Sequence, residues 1–250
     1  PFRYTVRDAA NSGDWSKLEN ASNAPLINSR QFRQYAVTFV ENHDTQTRSA
    51  SEPLDPIKKD TLAANAYLLA MPGTPCVFYR HWLDHKQAIK AMIDVRRAAG
   101  IVNTSVPTIV SREPKQYVVS VAGTKGTLLC VLGDEAENYA PDATQYVKVL
   151  SGQHYAYFLS RSTNTLLLDK PSGEYEAAFT AKVTSVSESK QTLVYTTDGT
   201  VPTAQSLRVP ADGNISITQY ATLQVGVLSA EGEVSNVVSR TYTIRPFVEH

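Results

Sequence analysis

The spacing of apolar residues changes once along this chain, near residue 105, and that change sets the fold. Before it, apolar residues recur every three or four positions, the period of a buried helix face. After it they alternate with polar residues, the period of a strand with one face in a core. In the first part, residues 35–40 (YAVTFV) are rich in β-branched and aromatic types and predict a buried strand. Asp55-Pro56 then predicts a helix start, with Asp as N-cap and Pro at the first helical position. Leu62, Ala66, Leu69 and Ala70 form its buried stripe, and Pro72-Gly73 stops it. Residues 76–79 (CVFY) follow as a short strand. Asp84 predicts the cap of the next helix, with Ile89, Met92, Val95 and Ala99 on its buried stripe and Gly100 as terminator. Strand, helix, strand, helix is the order of parallel α/β units.

Beyond Asn103, residues 117–121, 127–132, 145–150 and 154–159 read as strands separated by Gly, Asp and Pro turns. Their spacing predicts a small antiparallel β-sandwich. A second all-β segment begins near Pro171. Its strands are expected at 191–197, 206–209, 214–218, 222–228 and 234–244, with an Asp198-Gly199 turn after the first. Lys170-Pro171-Ser172-Gly173 reads as the linker between the two. The expected fold class is therefore α/β plus all-β.

A chain of 250 residues has room for one or two domains with real cores. Its 24 basic and 24 acidic residues balance, so there is no basic footprint for nucleic acid. No apolar run approaches the roughly 18 to 20 residues of a membrane span. Cys76 and Cys130 lack metal or redox spacing and read as buried free thiols, with a disulfide between them left open. Pro1 enters a packed segment, residues 2–6 (FRYTV), and reads as a cut amino end. Residues 248–250 resemble the start of a purification tag.

The candidate chemistry lies in residues 39–45 (FVENHDT), where an apolar strand ends abruptly on polar side chains. Carboxyl ends of strands are where parallel α/β folds place reactive groups. That makes His43 and Asp44 candidates; the same spacing also suits the start of a solvated loop. His81, His85 and His154 have no metal-ligand spacing and read as ordinary histidines, so no metal ligand is expected.

These residues carry a resemblance. Residues 39–45 resemble a signature segment of the α-amylase family of glycoside hydrolases, at the end of its seventh barrel strand. Residues 67–79 (YLLAMPGTPCVFY) resemble that family's helix seven and strand eight. The resemblance implies that residues 1–105 are an incomplete carboxyl-terminal portion of a (β/α)8 catalytic barrel. Residues 106–169 would be the antiparallel β domain that follows the barrel. Residues 195–203 (YTTDGTVPT) resemble an immunoglobulin-like module found at the carboxyl end of chitobiases, so 170–250 is expected to be an immunoglobulin-like β-sandwich. The implied reaction is retaining hydrolysis of α-1,4-glucosidic bonds in starch or maltooligosaccharides.

By the same resemblance Asp44 is the transition-state stabiliser and His43 donates hydrogen bonds to sugar hydroxyls. One preorganised contact of this kind is worth about a hundredfold to a thousandfold in rate. The retaining reaction needs two further carboxyl groups about 5 Å apart, which the family supplies from strands four and five. A complete barrel takes about 250 residues, so the chain alone is expected to be inactive. Glu41 stands where the family often has Asp and reads as support for the loop. Arg80 stands where related segments often carry Asp, so no substrate contact is carried over there. Trp82 reads either as a stacking platform or as core. Tyr155, Tyr157, Tyr195 and Tyr220 read either as stacking faces or as half-buried strand residues.

No cofactor is evident; calcium is often bound in such enzymes, mostly through parts missing here. The expected partner is an α-glucan or maltooligosaccharide, with self-association through the incomplete barrel. A polymeric substrate implies a secreted, periplasmic or cell-surface parent. The competing expectation is a non-catalytic carbohydrate-binding or spacer protein.

Overall fold

A computed structural model describes residues 2–18, 25–52 and 54–245; Pro1 and residues 248–250 lie outside them. Most of the regular structure is β-sheet, with few helices. The chain divides into two compact units, one ending at Thr163 and the other beginning at Asn164.

In the first unit, helix α1 (Phe2–Ser12) buries Phe2, Val6, Ala9 and Ala10 along one face. Its polar side holds the segment ahead of the next helix. Arg3 and Arg7 both pair with the Asp55 carboxylate. Asn11 donates to the Pro56 carbonyl at 3.0 Å and accepts the Lys58 N–H at 2.6 Å. This overturns the expected cap. With Asp55 engaged by two arginines, helix α2 (Thr61–Ala70) starts later, and its N-cap is Asp60 in a left-handed conformation (φ 56°).

Residues 63–70 are all buried, so α2 is apolar all round rather than along a stripe. It packs against α1, the following helix and the sheet. Helix α3 (Tyr79–Ala99) begins five residues before Asp84 and absorbs a kink at His85. Ile89, Met92, Val95 and Ala99 are buried, and Gly100 ends the helix at φ 70°. A side chain at Gly100 would also meet the Thr124 hydroxyl at 2.3 Å, which leaves only glycine.

The strand expected at 35–40 shrinks to two residues, and the one expected at 76–79 does not form: residues 74–75 pair instead, and Tyr79 already opens α3. Strand β1 (Val37–Thr38) pairs in parallel with β2 (Thr74–Pro75), and among the described residues with no other strand. Lacking a second neighbour, β1 leaves Val37 67% exposed while Thr38 is buried.

The second layer of this unit is one antiparallel sheet of β3 (Val106–Glu113), β4 (Gln116–Ala122), β5 (Thr127–Leu132), β6 (Tyr146–Gly152) and β7 (Tyr155–Ser160), in the order β3-β4-β5-β7-β6. It is a single sheet, where the strand spacing had predicted a sandwich. One face lies on α2: Tyr157 donates to the Ala66 carbonyl, and the Tyr117 and Tyr67 rings meet edge to face at 6.2 Å. The other face carries its own cluster of Val118, Leu129, Val131, Ala156 and Phe158, covered by Tyr139 and Tyr146. Strand β3 escapes sequence reading because it is an edge strand, mostly exposed, with Pro107 inside it.

The second unit is a β-sandwich. One sheet has the order β13-β10-β8, from β8 (Thr165–Leu168), β10 (Phe179–Val186) and β13 (Asn214–Ile217). The other has the order β12-β11-β14-β15-β9, from β9 (Gly173–Tyr175), β11 (Thr192–Thr196), β12 (Leu207–Arg208), β14 (Ala221–Leu228) and β15 (Val234–Ile244). Leu166, Val183 and Ile217 from the first sheet meet Leu223, Val225 and Tyr242 from the second in one core. The segment expected as a linker is tied into this unit. Tyr242 donates to the Lys170 carbonyl at 2.8 Å, Tyr175 to that of Pro171 at 2.7 Å, and the Ser172 hydroxyl accepts the Thr241 N–H at 3.0 Å.

Candidate active site

Past β1 the chain turns polar, and residues 43–45 form a turn built by their own side chains. The Asn42 Oδ1 accepts the Asp44 N–H at 3.1 Å, and the Thr45 Oγ1 accepts the Asn42 N–H at 3.1 Å. Asn and Thr are the residues that close such turns on their own backbone. The turn presents His43 and Asp44 side by side, with side chains 78% and 66% exposed and Nε2 3.3 Å from Oδ1. Arg48 lies 3.6 Å from the same carboxylate oxygen and donates to the His43 carbonyl at 3.1 Å. The result is an open, acceptor-rich carboxylate beside an imidazole, groups that suit a polyhydroxylated ligand.

Beneath the turn, Glu41 is buried and fully engaged. Its Oε1 accepts the Ile57 N–H at 2.7 Å, and its Oε2 lies 2.9 Å from the His81 Nε2. The Asn65 amide nitrogen lies 3.2 Å from the His81 Nδ1 and can only donate, so Nε2 carries the proton toward Glu41. Asn65 also donates to the Thr61 carbonyl at 2.8 Å, while its Oδ1 is buried without a partner. This relay joins the end of β1 to α2 and α3, two residues before His43. No sequence signal marks it: Glu41 and His81 are 40 residues apart.

The other expected side chains disperse. Arg80 donates to the Gln46 side chain at 3.3 Å, and Trp82 is half-buried. Cys130 is buried but Cys76 is exposed, against expectation, and both are free thiols. Tyr155 and Tyr157 are buried, Tyr195 packs on the sandwich core, and Tyr220 is 65% exposed. A second polar group, also missed by sequence, sits where α2 meets the sheet. The His154 Nδ1 lies 2.7 Å from Asp60 and its Nε2 3.5 Å from Asp134, in a cleft of about 690 Å³ that Lys58, Lys59 and Lys115 also line. Among the described residues, no group of three or more His, Cys, Asp or Glu could hold a metal ion. No described helix is long and apolar enough to cross a membrane.

No protein-family model matches the chain. It is 32% identical over 164 residues to "Probable alpha-amylase 2" of Arabidopsis thaliana, covering 62% of this chain and 38% of that protein. It is 30% identical over 146 residues to the "Glucan 1,4-alpha-maltotetraohydrolase" of Stutzerimonas stutzeri, covering 55% of this chain and 26% of that one. Among solved structures, a gamma-CGTase from alkalophilic Bacillus clarkii aligns over 96% of this chain and 44% of its own, at 14% identity and a TM-score of 0.47. The chain is therefore homologous to α-amylase-family glycoside hydrolases, and it spans less than half the length of these relatives.

Proposed function

We propose that this chain is a portion of a retaining α-amylase-like hydrolase whose parent cleaves α-1,4-glucosidic bonds in starch or maltooligosaccharides. In this reading β1, α2, β2 and α3 are the last strands and helices of a (β/α)8 barrel. The observation that carries it is the parallel pairing of β1 with β2 around α2, with the His43–Asp44 turn just past the carboxyl end of β1. That is where parallel α/β folds put their chemistry. Relatives named as α-amylases support the same reading.

The mechanism follows from charge. Glycoside cleavage passes through an oxocarbenium-like state whose ring is positive. The Asp44 carboxylate accepts hydrogen bonds from the ring hydroxyls and stabilises that charge more than the neutral ground state. His43 donates to a neighbouring hydroxyl, and the buried Glu41–His81 contact fixes the backbone that carries both. The nucleophile and the acid come from the part of the parent that this chain does not span, so the chain by itself does not hydrolyse starch. A polymeric substrate puts the parent in a secreted, periplasmic or cell-surface setting.

The test is kinetic. In the whole parent, Asp44→Asn lowers kcat by about a hundredfold to a thousandfold with the fold intact. Reducing-sugar release at the wild-type rate from that variant would overturn the assignment, and release from this chain alone that Asp44→Asn abolishes would overturn the inactivity of the chain by itself.

A further inference from the structure

Four tyrosines were candidates for stacking on sugar rings, and the core claims three of them. Tyr220 is left. It lies in the bend between β13 and β14, next to the buried Ala221 that opens β14, and its ring is 65% exposed. Its hydroxyl lies 3.4 Å from the Thr222 hydroxyl. Beside it is a cleft of about 360 Å³ whose polar lining is Thr197, Asp198, Ser216, Thr218 and Gln219.

The Asp198–Gly199 turn is held rigidly in this cleft. The Gly199 N–H donates to the Thr222 carbonyl at 2.9 Å, and the Thr222 N–H to the Thr197 carbonyl at 3.0 Å. The Gln224 side chain donates to the Gly199 carbonyl at 2.6 Å. Asp198 Oδ1 accepts the Thr200 hydroxyl at 2.6 Å and its N–H at 3.0 Å, which leaves Oδ2 available. Those two bonds hold the carboxyl below its usual range, so it stays an acceptor in mild acid.

We infer that Tyr220 and Asp198 form a binding site for an α-glucan chain on the second unit, separate from the His43–Asp44 turn. A pyranose ring has one C–H face and a rim of hydroxyls. The Tyr220 ring supplies the flat apolar surface, and the Asp198 carboxylate with the surrounding hydroxyl and amide groups supplies acceptors and donors for the rim. No Lys or Arg lines the cleft, which disfavours phosphorylated ligands. Because the turn is already fixed, little ordering entropy is lost on binding. The choice of α-glucan over other pyranose chains rests on the reading under Proposed function; the stacking site itself does not.

The full chain is run through native gels containing amylose and titrated with maltoheptaose by calorimetry. Retardation by amylose is expected. Tyr220→Ala should weaken maltoheptaose binding about tenfold or more, while Tyr220→Phe stays within about threefold, since stacking survives loss of the hydroxyl. Asp198→Ala should weaken it as well. Thermal melts of Tyr220→Ala should match the parent, because the ring is outside the core. No retardation by amylose, or retardation that Tyr220→Ala leaves unchanged, would overturn the site. A catalytically silent Asp44→Asn substitution in the whole parent would sink the catalytic reading without touching this one.

Discussion

Cys76 and Cys130 meet opposite environments, and their chemistry should separate accordingly. Cys130 is buried between β4 and β7, and burial pushes its thiol far above the ordinary range, so it is neither a nucleophile nor a metal ligand. Cys76 is exposed just past β2, with its N–H donated to the Thr38 carbonyl at 2.7 Å. A thiol reagent such as DTNB should therefore titrate one thiol promptly in the native chain and the second only in denaturant. Two prompt thiols, or none, would contradict this placement. Sequence spacing had put both inside, because a Cys in an apolar run reads as buried. Here residues 76–78 form no strand, and Cys76 is left exposed between β2 and α3. Glu41 shows the converse. Its role as support for the loop was legible from its position before His43, but its partner His81 was not.

At the scale of elements, one side chain of α3 ties down the end of α2. Arg96 on α3 donates to the Leu69 and Met71 carbonyls at 2.7 and 2.6 Å and to that of Gly73 at 3.2 Å. It satisfies carbonyls that the end of α2 leaves without intrahelical partners, and its charge opposes the negative end of the helix dipole. Burial lowers its pKa from the ordinary value, but an arginine keeps its charge at neutral pH. Arg96→Ala should cost about 2–4 kcal/mol, since it strands buried acceptors as well as removing charged bonds. Urea unfolding measures this directly; a loss under about 0.5 kcal/mol would mean the contacts contribute nothing net. The stop at Pro72-Gly73 was readable in the sequence, because Pro and Gly act on their own backbone. The start was misread at Asp55, because two arginines from α1 compete for that carboxylate.

For the whole molecule, the two-stranded parallel sheet is the exposed point. Among the described residues β1 and β2 pair only with each other, and Val37 on β1 and Tyr79 and Leu83 at the start of α3 are 67%, 69% and 59% exposed. Open strand edges and exposed apolar side chains favour association. In the parent proposed above, neighbouring barrel strands cover this region. The chain alone should self-associate, with a light-scattering mass that rises with concentration and falls back on Val37→Lys. A constant monomer mass across that range, with or without the substitution, would mean that these edges are too short to pair.

Sequence by itself determined what depends on near neighbours. The α3 stripe and its Gly100 stop, the strand runs of β4 to β7, β11, β13, β14 and β15, and the polar break that exposes His43 and Asp44 all follow from side-chain period and backbone preference, whereas β8, β9 and β10 were not read. Tertiary structure alone decided what pairs across long stretches of chain. It set Glu41 against His81, His154 against Asp60 across 94 residues, one sheet where a sandwich was expected, and Tyr220 as the tyrosine left to solvent. The reason is that helix and strand periods repeat within a few residues, whereas a buried hydrogen bond or a covered sheet face exists only once distant elements have packed.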